Sequence, residues 1–377
     1  MRHRTLAFGA AFISALTSFS APAAAQELGG VQLNGFGSWA YGRTNGNPFA
    51  TGREQGNYNN LEFGLAVSAA PAERARVSVQ IFSHAGEFRI DYALAEWRVS
   101  DALRLRFGRI KQPHGLYTEV FDVGTIRPLA TLPQSIYGSS GLVSEGVDGA
   151  GIAGGRSLGS WRVEYDVYGG NMAVETSTPF AAAPDSPDPE ETEHAQDVTN
   201  LVGARVNVRL PISGWLVGAS GYSGRNVAAA DARHSTVGAH TEFRRGAALV
   251  RSEVARHELG TERSVNAAFL ETAYRLTEHW QLAGRADHSR TRVSGTEAEM
   301  AAAMPDLGKH REFAAGVNYW FTPELVLRVS GHRVYGNRFA TPDADALRTA
   351  LSAARAAGTT GVNGRTTLFS VGVQASF

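Results

Sequence analysis

From residue 31 to the end, apolar and polar side chains alternate one by one along most of the chain, in sixteen segments separated by turn residues. They lie near 31–42, 58–70, 74–84, 88–99, 102–111, 147–155, 160–170, 199–210, 215–223, 235–245, 247–257, 264–276, 280–290, 311–320, 325–335 and 363–377. In the second segment Leu61, Phe63, Leu65, Val67 and Ala69 oppose Glu62, Gly64, Ala66 and Ser68; in the last, Phe369, Val371, Val373, Ala375 and Phe377 oppose Ser370, Gly372, Gln374 and Ser376. A strand points successive side chains to opposite faces, so each segment predicts a strand between an apolar medium and a wet one.

The connections decide which media these are. After the first strand they run long, short, long or modest, short, the short ones falling near 71–73, 100–102, 155–159, 211–214, 245–246, 277–279 and 322–324. A soluble sandwich has no reason to sort its loops by length. An even-stranded transmembrane barrel does, with tight turns at one rim and long loops at the other. Trp97, Trp161, Trp215, Trp280 and Trp320 each lie close to a short turn and predict an aromatic girdle at that rim; only Trp39 does not.

The first 25 residues have a basic start (Arg2, His3, Arg4), an apolar run and an Ala-Ala-Ala stop at 23–25. That order predicts a cleaved secretory signal peptide over 1–25 and a barrel over 26–377. No later stretch is apolar enough to cross a bilayer as a helix. The chain has 0 Cys, so it forgoes disulfides, and its 43% hydrophobic content with 42 Gly suits strands of which only every second residue meets lipid. Its 36 basic and 36 acidic residues balance, which argues against a nucleic-acid partner. Only Lys111 and Lys309 are lysine. A GC-rich genome and a use for the bidentate, permanently charged guanidinium both explain that bias.

The fifth segment runs into a long connection, 112–146, whose Leu116, Tyr117, Phe121, Ile126, Leu129, Leu132, Ile136 and Tyr137 are too apolar for a solvated loop. They predict packing, and the barrel interior is the available place. Gly108, Arg109, Lys111, Pro113, Gly115, Leu116 and Tyr117, followed by Arg127, Pro128, Pro133, Gly146, Asp148 and Gly149, resemble the Gram-negative porins, most nearly the phosphate-selective porin O and P group. The resemblance implies that the third loop folds inward to narrow a pore, with Arg109, Lys111, Glu119, Asp122 and Arg127 near the constriction. It implies a homotrimer in the outer membrane, and it makes Phe377 a C-terminal assembly signal. The scarcity of lysine departs from that group, and phosphate selectivity is not carried over.

Arg74, Arg76, Arg104 and Arg106 fall on lumen faces of neighbouring segments. Alternation puts Arg109 and Lys111 on the other face, so a bulge at Gly108 is expected to turn them inward. These charges fit first a solvated wall with local ion pairs; the sharper alternative is an arginine path facing loop acids that orders solutes and favours anions. Gly149, Gly151 and Gly154 match a dinucleotide fingerprint by letter, but a strand rather than a helix follows, so they are read as room for the infolded loop. No nucleophile or zinc-protease motif occurs and the 11 His are scattered, so no catalytic or metal residue is assigned. The acidic stretch 185–193 reads as a solvated loop, with weak divalent-cation binding open; 343–358 reads as a short helix.

The expectation is therefore an all-β, transmembrane, antiparallel barrel of about 16 strands with an infolded third loop. At that strand number a barrel encloses water. The function expected is passive diffusion of small hydrophilic solutes, with modest anion preference and no cofactor, in contact with outer-membrane lipid. An outer-membrane barrel enzyme of lipase type, or an adhesin using its external loops, is the alternative.

Overall fold

The computed structural model of the protein describes residues 26–28, 30–120, 123–138, 142–176, 194–227, 229, 232–295, 298–341, 349 and 363–377. The expected signal peptide, the acidic stretch 185–193, Phe121, Asp122 and all but residue 349 of the expected helix lie outside these. A short β1 (Gln26–Leu28) pairs with the start of β2 (Val31–Asn45). There follow β3 (Leu61–Ala72), β4 (Ala75–His84), β5 (Glu87–Ser100), β6 (Leu103–Lys111), β7 (Gly146–Leu158), β8 (Trp161–Thr176), β9 (His194–Arg209), β10 (Trp215–Asn226) and β11 (Ala232–Arg245). The last six are β12 (Ala248–Leu259), β13 (Arg263–Arg275), β14 (Trp280–Val293), β15 (Lys309–Thr322), β16 (Leu325–Tyr335) and β17 (Arg365–Ser376). Among the described residues the named helical elements are α1 (Gln134–Tyr137), α2 (Ala298–Ala303) and two single 3-10 turns, Thr118–Val120 and Gly124–Ile126.

Each strand from β2 to β17 pairs antiparallel with the next, and β17 returns to β2, from Thr367 opposite Asn45 to Ser376 opposite Phe36. Sixteen strands thus close into a barrel. Closure pairs the backbone of the first and last strands and leaves no sheet edge, which a bilayer demands. All sixteen segments of alternation correspond to strands. At the long-loop end the strands run further than the alternation, β8 to Thr176 and β9 from His194. Beyond the apolar band of a barrel the outward positions need not be apolar, and the period-two signal lapses there. The long-loop rim also has tight members: residues 85–86 join β4 to β5 with Ala85 and Gly86 both at positive φ.

The two faces divide as a membrane barrel requires. Val202, Val237, Val254, Leu270, Phe313 and Phe369 stand exposed on the outside, while Arg205, Glu253, Glu271, Arg285 and Glu312 are buried within. At the short-turn rim Trp97, Trp161, Trp215 and Trp280 are exposed outward, but Trp320 is buried. It shares parity with Asn318, which is also buried, and lies beneath the guanidinium groups of Arg275 and Arg328 at 4.9 and 5.7 Å. The outward aromatic positions on β15 go instead to Tyr319, 4.9 Å from Trp280, and to Phe321. Phe377 exchanges two 2.8 Å backbone hydrogen bonds with Gly35 of β2, and its ring covers the space a Cβ there would fill.

Candidate functional site

The described residues of 112–146 are hydrogen-bonded to wall strands from β9 to β17. Gly115 N donates to Ser220 Oγ at 3.0 Å and Leu116 N to Glu253 Oε2 at 3.2 Å. The Tyr117 hydroxyl donates to Glu271 and accepts from Arg251 Nη1 at 2.8 Å. Arg285 reaches Thr131 O at 2.6 Å and Thr131 Oγ1 at 2.7 Å, Ser135 N donates to Asp287 Oδ2 at 3.1 Å, and Asn318 Nδ2 donates to Pro128 O at 2.8 Å. Tyr222 and Thr236 both donate to Leu142 O, at 2.7 and 3.0 Å.

Packing explains why the segment lies there. Tyr117, Leu132, Ile136, Tyr137 and Leu142 bury themselves against Ala255, Val265, Ala267 and Phe269, and Leu129 against Ala283 and Ala314. Alanines on the inner faces of β12 to β15 leave the depth that the loop fills. Burial of each large loop side chain contributes roughly 1.5–3 kcal/mol. Ile126, by contrast, is exposed. The glycines expected to make this room do something else: a Cβ at Gly149 or Gly154 would strike the backbone of Gly169 or Ala102, so they permit close approach within the sheet. Burial raises the hydroxyl pKa of Tyr117 and Tyr137 well above the ordinary phenol value, so both stay protonated donors. Burial, then repulsion from His240 and Arg205, pushes His114 down to about 3, leaving a neutral imidazole.

The wall toward the short-turn end carries an arc of arginines sharing carboxylates. Glu96 lies between Arg104 and Arg106, at 3.6 and 3.1 Å, and Asp166 between Arg106 and Arg205, at 3.2 and 2.9 Å. Glu164 lies between Arg162 and Arg209, at 2.9 and 3.8 Å, and Glu242 between Arg251 and Arg244, at 2.6 and 3.7 Å. From the loop, Glu119 reaches Arg205 at 2.5 Å. Seven arginines thus face five carboxylates, and the side chains of Arg162, Arg209 and Arg244 are 54–60% exposed. The excess positive charge is open to water.

The expected site residues separate into groups. Arg76, Arg104 and Arg106 are on the inner wall, Arg76 bonding Gln32 and Ser68. Arg74 is exposed in the turn between β3 and β4 and lines no wall. Glu119 joins the arc; Asp122 is outside the described residues. Arg127 is buried, donating to Ala130 O at 3.2 Å, with Glu62 4.0 Å away.

Arg109 is a correction. Gly108 has φ +113°, but the β5–β6 register runs unshifted from Arg109 opposite Ala93 to Arg104 opposite Arg98. There is no bulge, so Arg109 stays on the outer face with Phe107 and pairs with Asp148 directly across on β7, at 2.8 Å. Lys111 is not on the water path either: it is buried against Asp91 at 2.6 Å. The bulge sits instead on β5, where Asp91 is the extra residue between the pairs of Tyr92 and Ile90.

Behind the loop lies a buried charged network that sequence reading missed as a unit. Arg285 pairs with Glu271 at 3.4 Å and Glu312 at 3.0 Å. Ser330 Oγ, His332 and Glu312 Oε1 form a string with contacts of 2.8 and 2.5 Å, the order of a nucleophile, base and carboxylate. Ser330 is only 3% exposed, so a substrate carbonyl has no approach to it. His310 sits beside the same Glu312 and Asp287.

No family model and no curated protein matches the chain. Solved structures do. OmpF of Salmonella typhi, in complex with daunomycin, matches with a TM-score of 0.57 at 11% identity over 92% of this chain and 98% of its own. The outer membrane channel DcaP of Acinetobacter baumannii gives 0.57 at 10% over 92% and 97%, and an anion-selective porin from Comamonas acidovorans 0.55 at 9% over 92% and 99%. At such identities the likeness is one of fold: the chain has the closed barrel of the outer-membrane porins.

Proposed function

We propose that the protein is an outer-membrane porin, a water-filled channel through which small hydrophilic solutes diffuse, with a preference for anions. The observation that carries the reading is the arc of seven arginines against five carboxylates, of which Arg104, Arg162, Arg209 and Arg244 are open to water, inside a barrel whose strand number encloses an aqueous lumen. A low-dielectric wall focuses such a field on passing ions. Residues 112–146 narrow the lumen on this reading, supported by their hydrogen bonds to the opposite wall; Arg76, Arg104 and Arg106 line it with Glu119. The inert setting of Ser330 supports a channel rather than an enzyme.

The exposed apolar belt is read as a lipid contact. A homo-oligomer is supported by the Arg109–Asp148 pair, an ionic contact on the outer wall that suits another protein surface better than hydrocarbon. Kinship with the phosphate-selective porins rests on the run from Gly108 to Tyr117 with Arg127, Pro128, Pro133, Gly146, Asp148 and Gly149. Purified protein added to planar bilayers should give stepwise, ohmic conductance increments. A folded barrel that inserts without conducting would remove the channel reading.

A further inference from the structure

We propose that Asp287, His310 and Glu312 form a binding site for a divalent transition-metal ion of the Zn2+ class, set in the inner wall beneath the loop. Register makes the site: Asp287 of β14 is directly opposite Glu312 of β15, and His310 follows two residues before on the same face. His310 Nε2 lies 3.4 Å from Asp287 Oδ2 and 3.7 Å from Glu312 Oε2, and one donor atom from each residue falls within 4.8 Å of the other two. Metal bonds of about 2.0–2.1 Å at tetrahedral angles put neighbouring donors roughly 3.3 Å apart, close to the two spacings from His310 to the carboxylates.

Unsatisfied atoms point the same way. The side chains of Asp287, His310 and Glu312 are fully buried, yet neither ring nitrogen of His310, nor Asp287 Oδ1, nor Glu312 Oε2 makes a hydrogen bond. Buried polar atoms without partners are costly, and two of these, His310 Nε2 and Glu312 Oε2, lie 3.7 Å apart, as two ligands of one ion would. Ion pairing points the same way: Glu271 and Glu312 share Arg285, whereas among the described residues Asp287 has only His310 within ion-pair distance.

The donor set selects its class. Imidazole disfavours Ca2+ and Mg2+, which take oxygen, and one nitrogen with two carboxylates suits Zn2+ and its first-row neighbours. The outer ring of contacts is in place as well. His332 and Arg285 hold Glu312 Oε1, turning Oε2 toward His310, and Ser135 N from the loop holds Asp287 Oδ2. Phe49 stacks on the His310 ring at 5.9 Å and Phe339 meets it edge-on at 5.0 Å, excluding water. Because Asp287 also anchors Ser135, the ion would fasten residues 112–146 to the wall.

The test uses the untagged full chain folded into detergent with Zn2+ present, so that entry into a closed site is not required, then freed of loose metal and assayed for zinc per chain. Wild type should retain one equivalent, resist thermal unfolding better than protein folded with a chelator, and with Co2+ show the visible ligand-field bands of a four-coordinate ion. His310→Leu, similar in volume, should retain none, while His84→Ala, at an exposed residue elsewhere, should retain the full equivalent. If His310→Leu does not fold, the Co2+ spectrum of wild type decides by itself. Folded wild type without retained metal, or His310→Leu holding as much, overturns the proposal, whether or not the barrel conducts.

Discussion

Tyr117 shows most sharply how single side chains hold the interior together. Its hydroxyl gives its proton to Glu271 and accepts from Arg251, all three buried. Tyr117→Phe keeps the ring and removes one buried hydrogen bond from each of these charged partners, so it should destabilise the barrel by about 1–3 kcal/mol, measurable as a lowered denaturant midpoint at unchanged slope. His114 gives a pH dependence with a definite sign. Its folded pKa, about 3, lies below the ordinary 6.5, so its contribution is intact above pH 6.5 and fades as the pH falls toward 3. The loss approaches about 1.4 kcal/mol per pH unit across that window. Thermal scans between pH 7 and 4 should show wild type losing stability more steeply than His114→Phe; parallel curves would contradict the burial of this ring. Little of this was legible in the chain, because which residues meet across a lumen depends on the curvature of the whole sheet. Asp287, His310 and Glu312 looked scattered until the β14–β15 register brought them together.

At the scale of elements the chain was far more readable. Alternation marks a strand wherever lipid lies on one side and water on the other, so all sixteen emerged from the period alone. Parity told equally which face Trp320 occupies, but proximity to a turn was read ahead of it. The outward Arg109 was lost the same way, to a bulge expected at Gly108 when the bulge lies at Asp91. The packing of residues 112–146 was expected from their own apolar content, whereas the alanines on β12 to β15 against which Leu129, Leu132 and Ile136 lie carry no local signal. Tyr117→Ala with Tyr137→Ala removes the two rings that seat this segment, each costing about 3–5 kcal/mol of packing. The released loop should raise single-channel conductance; an unchanged value would mean that the segment does not narrow the path. At the closing strand, deletion of Phe377 uncovers Gly35 and removes two hydrogen bonds of the seam, and should lower the amount of barrel reaching the outer membrane. Wild-type levels would deny the terminal aromatic any part in assembly.

For the whole molecule, the interior is divided: a packed, proton-rich and charge-dense half beneath the loop, and a wet arc of arginines from β6 to β12. On the channel reading the second half is the one that meets passing solute, and its exposed guanidinium groups are the ones to change. Arg162→Glu with Arg209→Glu turns the arc from an excess of two positive charges to an excess of two negative ones while leaving the buried network untouched. The most direct test is the zero-current potential of the purified protein in a planar bilayer across a tenfold salt gradient. Wild type should show the sign of anion preference, shrinking as both salt concentrations rise and the Debye length falls below about 8 Å, and the double variant should reverse that sign. Cation preference in wild type, or a potential indifferent to both substitutions, would contradict an arginine-lined path through this barrel.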